Sequence, residues 1–235
     1  MLITMNWPSL LVFVRHAESE GNIISGDERA RLAIPNHSYV LTERGKQQSA
    51  ITGEYLKKRF GEFDAYYQSY YARTKQTLQI MYPDAVTFED ARLAERGGGI
   101  MQTMTKAELT ARFPEEDARK KKEGLYSFRP LGGENWPDVE LRIHSFLSSL
   151  MRDHAGKKVL CVVHGHWLVL FQRVMHHFSI ETATDRFLHG EFGNASVTIY
   201  EGKQAGDNSK LELVEENIIP WEGKIDMKGE KTELA

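Results

Sequence analysis

Two arginines and two histidines in this chain each follow a short apolar run. Arg15 and His16 close the run Leu10-Leu11-Val12-Phe13-Val14, and His164 closes Val159-Leu160-Cys161-Val162-Val163. Arg73 comes shortly after a third stretch, Ala65-Tyr66-Tyr67-Gln68-Ser69-Tyr70. Guanidinium groups are planar forks that suit bidentate contact with phosphate oxygens. Fixed cations nearby lower the pKa of an imidazole, and a neutral imidazole near pH 7 is a competent nucleophile. Phosphoryl transfer to such a ring splits one hard displacement into two easier ones, while the cations stabilise the spreading negative charge. A proton must still reach the departing alkoxide. Glu18, Glu20, Glu95 and Glu134 are candidates for that step, and spacing alone does not choose among them.

These four groups can meet only if the strands that deliver them share an edge. Leu10 to Val14 is apolar throughout and reads as a strand buried on both faces, as do residues 158–163. Residues 65–70 and 85–88 read as further strands, and Ser196-Val197-Thr198-Ile199-Tyr200 with Leu211-Glu212-Leu213-Val214 as a late hairpin across 202–208. Helices are expected over residues 41–60, with Thr42 as N-cap, and over 72–81, closed by Pro83. Thr105 and Glu108 form a capping box for a helix to about Phe113. Two more helices are expected, from Pro137 to about Leu150 and from Trp167 to about His176. Residues 21–39 read as irregular, 114–130 as a solvated helix face or loop, and the tail after Trp221 as loose. Strands alternating with helices give an α/β class, and in a mainly parallel sheet the carboxyl ends of the strands lie together.

Composition narrows the classes. At 235 residues and 41% hydrophobic, the chain fits one domain, here expected to span 1–235 with an insertion at about 97–135 covering the site. The net charge of −3 argues against a dedicated nucleic-acid surface, so attraction for an anionic substrate must come from local cations. No apolar stretch approaches the roughly 18 residues that cross a bilayer. Nor does the N-terminus read as a signal peptide. The single Cys161 reads as a buried, inert thiol in a reducing, cytoplasmic setting. His164, His166, His176 and His177 lack partnered Cys or Glu at ligand spacing, so no metal site is read there.

Several ordered motifs resemble those of the histidine phosphatase superfamily, also called phosphoglycerate mutase-like. Arg15-His16-Ala17-Glu18-Ser19-Glu20-Gly21-Asn22 resembles its Arg-His-Gly-Glu-Ser-x-x-Asn signature. Leu41 to Gln48, Ala72-Arg73-Thr74-Lys75-Gln76-Thr77, Leu93-Ala94-Glu95-Arg96, Gly132-Gly133-Glu134-Asn135 and Val162-Val163-His164-Gly165 resemble later segments in the same order. Ala17 stands where Gly is usual, and Asn135 where Ser is more frequent.

The resemblance implies a three-layer α/β/α sandwich with a mainly parallel central sheet. It also implies roles. His16 would be the phosphorylated nucleophile. Arg15, Arg73 and His164 would hold the phosphate, with Asn22 and the Gly165 backbone nearby. Glu95 would be the general acid that later activates water, since no Asp adjoins His164. No cofactor and no metal are implied. The substrate would be a small phosphorylated metabolite, with no nucleic-acid or membrane partner; whether the chain forms a homodimer stays open. The segment Arg96-Gly97-Gly98-Gly99 differs from the Arg-His-Tyr-Gly of phosphoglycerate mutases, which favours the broad phosphatase branch over a mutase.

Overall fold

The computed structural model describes residues 7–32, 34–190, 192–205 and 208–225. A single sheet of six strands organises them: β1 (Leu10–Arg15), β2 (Ala65–Gln68), β3 (Thr87–Glu89), β4 (Lys158–Val163), β5 (Val197–Ala205) and β6 (Asn208–Ile218), in the order β3-β2-β4-β1-β5-β6. The first four are parallel, while β5 runs antiparallel to β1 and β6 antiparallel to β5. Helices are α1 (Gly26–Leu32), α2 (Glu43–Phe60), α3 (Ala72–Met81), α4 (Lys106–Arg112), α5 (Pro114–Ser127), α6 (Trp136–Asp153), α7 (Gly165–His176) and α8 (Ile180–Leu188).

The apolar run of β1 is buried at every position because helices cover both faces of the sheet. Leu11 and Phe13 pack with Cys161, Val163, Phe146 and Trp167 on the α6–α7 side. Leu10, Val12 and Val14 alternate onto the other face, against Leu56, Leu78 and Met81 of α2 and α3. The result is an α/β/α sandwich with a mainly parallel sheet. Two registers bring the strand ends together. Arg15 stands beside Val163, so His16 and His164 leave neighbouring strands at the same level. Gln68 stands beside Val162, so Ser69 arrives one step away from both.

Thr42 caps α2 by accepting from the Gly45 amide, and α3 spans the residues expected of it. Elsewhere the structure corrects the sequence reading. Residues 23–39 contain α1, which buries no residue and so shows no periodicity. The charged stretch 114–130, read as a solvated helix face or loop, is mostly the solvated helix α5, whose one buried residue is Glu116. Helix α7 begins at Gly165, not Trp167, with His164 as its N-cap. Helix α8 lay unrecognised because it buries only Ala183. Strand β2 stops at Gln68, and β3 starts later than expected, at Thr87. The hairpin strands run further, so most of 202–208 is strand; residues 206–207, part of the turn expected there, lie outside the described residues. So does the tail from 226 onward. Among the described residues no helix is long and apolar enough to cross a membrane.

Candidate active site

A cavity of about 470 Å³ opens at the carboxyl ends of the parallel strands. Arg15, His16, Asn22, Arg73, Glu95 and Gly165 all line it, and His164 stands directly behind His16 with ring centroids 5.2 Å apart. Of the four candidate carboxylates, only Glu95 reaches the cavity wall. Glu18 is tied to Thr42 Oγ1 and Arg44, each at 2.6 Å. Glu20 accepts weakly from the Val40 amide, and Glu134 pairs with Arg142 and accepts from the Gly97 amide.

His16 is held from both sides of its backbone. Its amide donates to Val163 at 2.9 Å, and its carbonyl accepts from the Ala195 amide and from Asn194 Nδ2. The ring Nδ1 lies 2.8 Å from the Ala17 carbonyl oxygen. A carbonyl only accepts, so Nδ1 carries the proton and the lone pair sits on Nε2. Nε2 makes no hydrogen bond to the described residues, which leaves it for the cavity. Burial, then the charges of Arg73 and Arg15, hold the His16 pKa well below its ordinary value. The sequence reading named the cations; burial is the larger cause. Ala17 takes the place of Gly without strain, since it is absent from the positive-φ residues His177, Ala195 and Asn217.

The opposite tautomer holds at His164. Arg73 Nη2 donates to its Nδ1 at 3.3 Å, so the proton is on Nε2 and goes to Ser69 Oγ at 2.8 Å. Ser69 in turn lies 2.9 Å from Thr74 Oγ1, whose own hydrogen faces the carbonyls of Ser69 and Tyr71. Burial, followed by Arg73, keeps the His164 pKa well below normal. Ser69 was not singled out in the sequence. Its signal is positional: it sits at the end of β2, four residues before Arg73.

The guanidiniums are fixed by carbonyl oxygens. Arg73 donates through Nη1 to Asn36 at 2.8 Å and lies 4.4 Å above the Tyr71 ring. Burial lowers its pKa to about 10, which leaves it charged at neutral pH. Arg15 donates to the Phe192 carbonyl, and its Nε would lie 3.3 Å from a Cβ at position 165. Glycine there lets the arginine pass close to the first turn of α7, whose amides and dipole favour an anion. Asn22 lines the cavity, although its Oδ1 is engaged by the amide and hydroxyl of Ser19. From the segment 97–135, Gly98, Met101 and Gln102 reach the cavity. Asn135, whose role the sequence left unread, caps α6 by accepting from the Asp138 amide. No group of three or more His, Cys, Asp or Glu is placed to hold a metal ion among the described residues.

Known proteins resemble this chain in sequence and in fold. The family model described as histidine phosphatase superfamily (branch 1) matches residues 11–215. A 2,3-bisphosphoglycerate-dependent phosphoglycerate mutase of Gloeobacter violaceus is 31% identical over 180 residues, covering 74% of this chain and 78% of the relative. Among solved structures, a mycobacterial glucosyl-3-phosphoglycerate phosphatase superposes with a TM-score of 0.64 at 22% identity, covering 89% of this chain and 99% of that one. The α-ribazole phosphatase of Shigella flexneri gives 0.66 at 17% identity, covering 89% and 98%. At those identities the structural likeness speaks for the fold.

Proposed function

The chain belongs to the histidine phosphatase superfamily, and from that premise we propose that it hydrolyses small phosphomonoesters through a phosphohistidine on His16. The observation that carries the reading is the pair of opposed tautomers. His16 turns a lone pair toward a cavity flanked by Arg15 and Arg73, while His164 is locked behind it by Ser69 and Arg73.

The phosphate enters between Arg15 and Arg73, at the first turn of α7. His164 becomes a donor to it, either by taking up a proton with the dianion or by receiving the P–OH hydrogen of the monoanion. Nε2 of His16 attacks phosphorus opposite the ester oxygen, and the P–O bond to the alcohol breaks as the P–N bond forms. Glu95, the one carboxylate on the cavity wall, gives its proton to the departing oxygen. The carboxylate then removes a proton from water as that water attacks phosphorus from the side the alcohol left. The P–N bond breaks, inorganic phosphate departs with the proton that His164 had taken up, and His16, His164 and Glu95 return to their starting states. Arg15 and Arg73 stay charged throughout and stabilise the charge on the three equatorial oxygens in both steps.

A mutase reading shares every step except the acceptor, and the mutase name of the Gloeobacter relative favours it. Against it stands Arg96-Gly97-Gly98-Gly99, whose three glycines bring no side chain toward the cavity to hold a bound intermediate in place of water. Free phosphate and isomerised product, measured together on 3-phosphoglycerate and on a panel of sugar phosphates, separate the two. Phosphate release in excess on most of the panel is expected. Exchange between 2- and 3-phosphoglycerate faster than release would reverse the assignment.

A further inference from the structure

Five guanidinium groups line the cavity, those of Arg15, Arg29, Arg73, Arg96 and Arg186, against the one carboxylate of Glu95. A phosphate dianion accounts for Arg15 and Arg73. Arg186 is paired with Glu216 at 2.8 Å, and Arg96 lies beside Glu95 and donates to the Glu134 carbonyl. Arg29, on the last turn of α1, is different. Its Nη1 donates to the carbonyls of Gly21 and Ile24, and no carboxylate of the described residues comes within ion-pair distance of it. Its charge is close enough to bear on both Arg73 and Tyr39, and the Glu20 carboxylate, though not within ion-pair distance of Arg29, also bears on Tyr39.

Tyr39 supplies a second, independent observation. It is only 2% exposed, it lines the same cavity, and its hydroxyl is buried with no hydrogen-bond partner. Its ring rests on Gly21, where a Cβ would come within 3.1 Å, so the hydroxyl is fixed in direction. Buried hydroxyls without partners are uncommon, because the lost hydrogen bond is costly. A guanidinium without an ion-pair partner among the described residues and an unsatisfied hydroxyl at the same cavity share a complement: an anionic oxygen.

We propose that Arg29 and Tyr39 form a second anion subsite, so that the preferred substrates are phosphomonoesters whose alcohol carries a further acidic group. This deepens the phosphatase reading and rests on it. The phosphate to be cleaved sits at His16, and the second group, a carboxylate or another phosphate, reaches Arg29 and the Tyr39 hydroxyl. The surplus of cations thus becomes selectivity. A neutral alcohol leaves Arg29 bound to backbone carbonyls alone, whereas an acidic one gives it an ion-pair partner.

Matched pairs test this. The carboxylate arm compares 3-phosphoglycerate with glycerol 3-phosphate, and the phosphate arm compares fructose 1,6-bisphosphate with fructose 6-phosphate. Each is measured as kcat/KM for the wild type, Arg29→Gln and Tyr39→Phe, and as Kd by calorimetry on His16→Ala, alone and combined with each substitution. Hydrogen bonds to a charged group support a preference of about 10- to 100-fold for the acidic member in at least one arm. The arm that shows it names the second group. Arg29→Gln should collapse that ratio, chiefly through KM. Tyr39→Phe, which removes one oxygen and leaves the Gly21 contact, should lower it by about five- to tenfold. Equal kcat/KM and equal Kd within both pairs, or ratios untouched by both substitutions, would overturn the subsite while leaving the phosphatase reading in place. Absence of turnover with the Kd preference intact would do the reverse.

Discussion

Removing one buried hydroxyl tests how His164 is held. In Ser69→Ala the Nε2–H of His164 loses its acceptor at 2.8 Å, and the Tyr71 amide loses the same oxygen at 3.3 Å. Ser69 and His164 are both fully buried, and the space vacated by one oxygen is too small for a water to repair the loss. A buried donor left unpaired costs about 1–3 kcal/mol. The ring can recover part of that by turning or by moving its proton to Nδ1. Either change removes the acceptor that Arg73 Nη2 now uses at 3.3 Å, so the cost is passed to the group that grips phosphate. At about 1.4 kcal/mol per factor of ten, kcat/KM on an aryl phosphate should fall about 10- to 100-fold. The inhibition constant for inorganic phosphate should rise in step, because free phosphate uses the same Arg73 and His164 contacts. Both are assayed well below the unfolding transition, where a loss of global stability alone would leave the inhibition constant unchanged. A Ser69→Ala enzyme within about twofold of wild type in both quantities would refute the tautomer lock.

Three further outcomes are expected from the same geometry. Glu95→Gln keeps the shape of the cavity but cannot donate or take back a proton; hydrolysis of sugar phosphates should fall about 10²- to 10⁴-fold, and much less for esters with acidic alcohols, which steady-state kinetics on the two ester types would show. Below pH 6.5 the unfolded chain protonates three imidazoles that burial and neighbouring arginines keep neutral in the folded chain, His16, His164 and His166. Stability should therefore hold above about pH 6.5 and fall on acidification by up to about 1.4 kcal/mol per pH unit for each ring; urea midpoints that stay level from about pH 7 to 5 would contradict it. Gly45→Ala places a Cβ 2.0 Å from the Glu18 carbonyl oxygen, a backbone atom in the loop after His16, so a loss of about 1–3 kcal/mol is expected in urea titration, and an unchanged midpoint would show that the loop yields freely.

Much of the site was legible because it sits where apolar runs end. β1 and β4 are buried on both faces, so their sequences are almost purely apolar, and the first polar residues after them are forced to the sheet edge. That placed Arg15, His16 and His164 without knowledge of strand order. What a sequence does not carry is register. The pairing of Arg15 with Val163 and of Gln68 with Val162 brings Ser69 to His164, and no local pattern announces it. Helices were readable in proportion to the apolar face they bury. α6 buries seven residues and was evident, whereas α1 and α8 bury none and one. The Arg119-Lys120-Lys121-Lys122 run left α5 undecided between helix face and loop for the same reason, since its inner contact is a carboxylate, not an apolar stripe.

The central claim is that His16 carries the phosphoryl group on Nε2. Quenching the enzyme in alkali during turnover of a radiolabelled phosphomonoester, then mapping the label and assigning the ring nitrogen by phosphorus NMR, addresses it directly. Because the Nδ1 proton is committed to the Ala17 carbonyl at 2.8 Å, label is expected on His16 alone and at Nε2 alone, and absent from His16→Ala. Label on His164 or at Nδ1, or full turnover by His16→Ala with no labelled intermediate, would contradict the account.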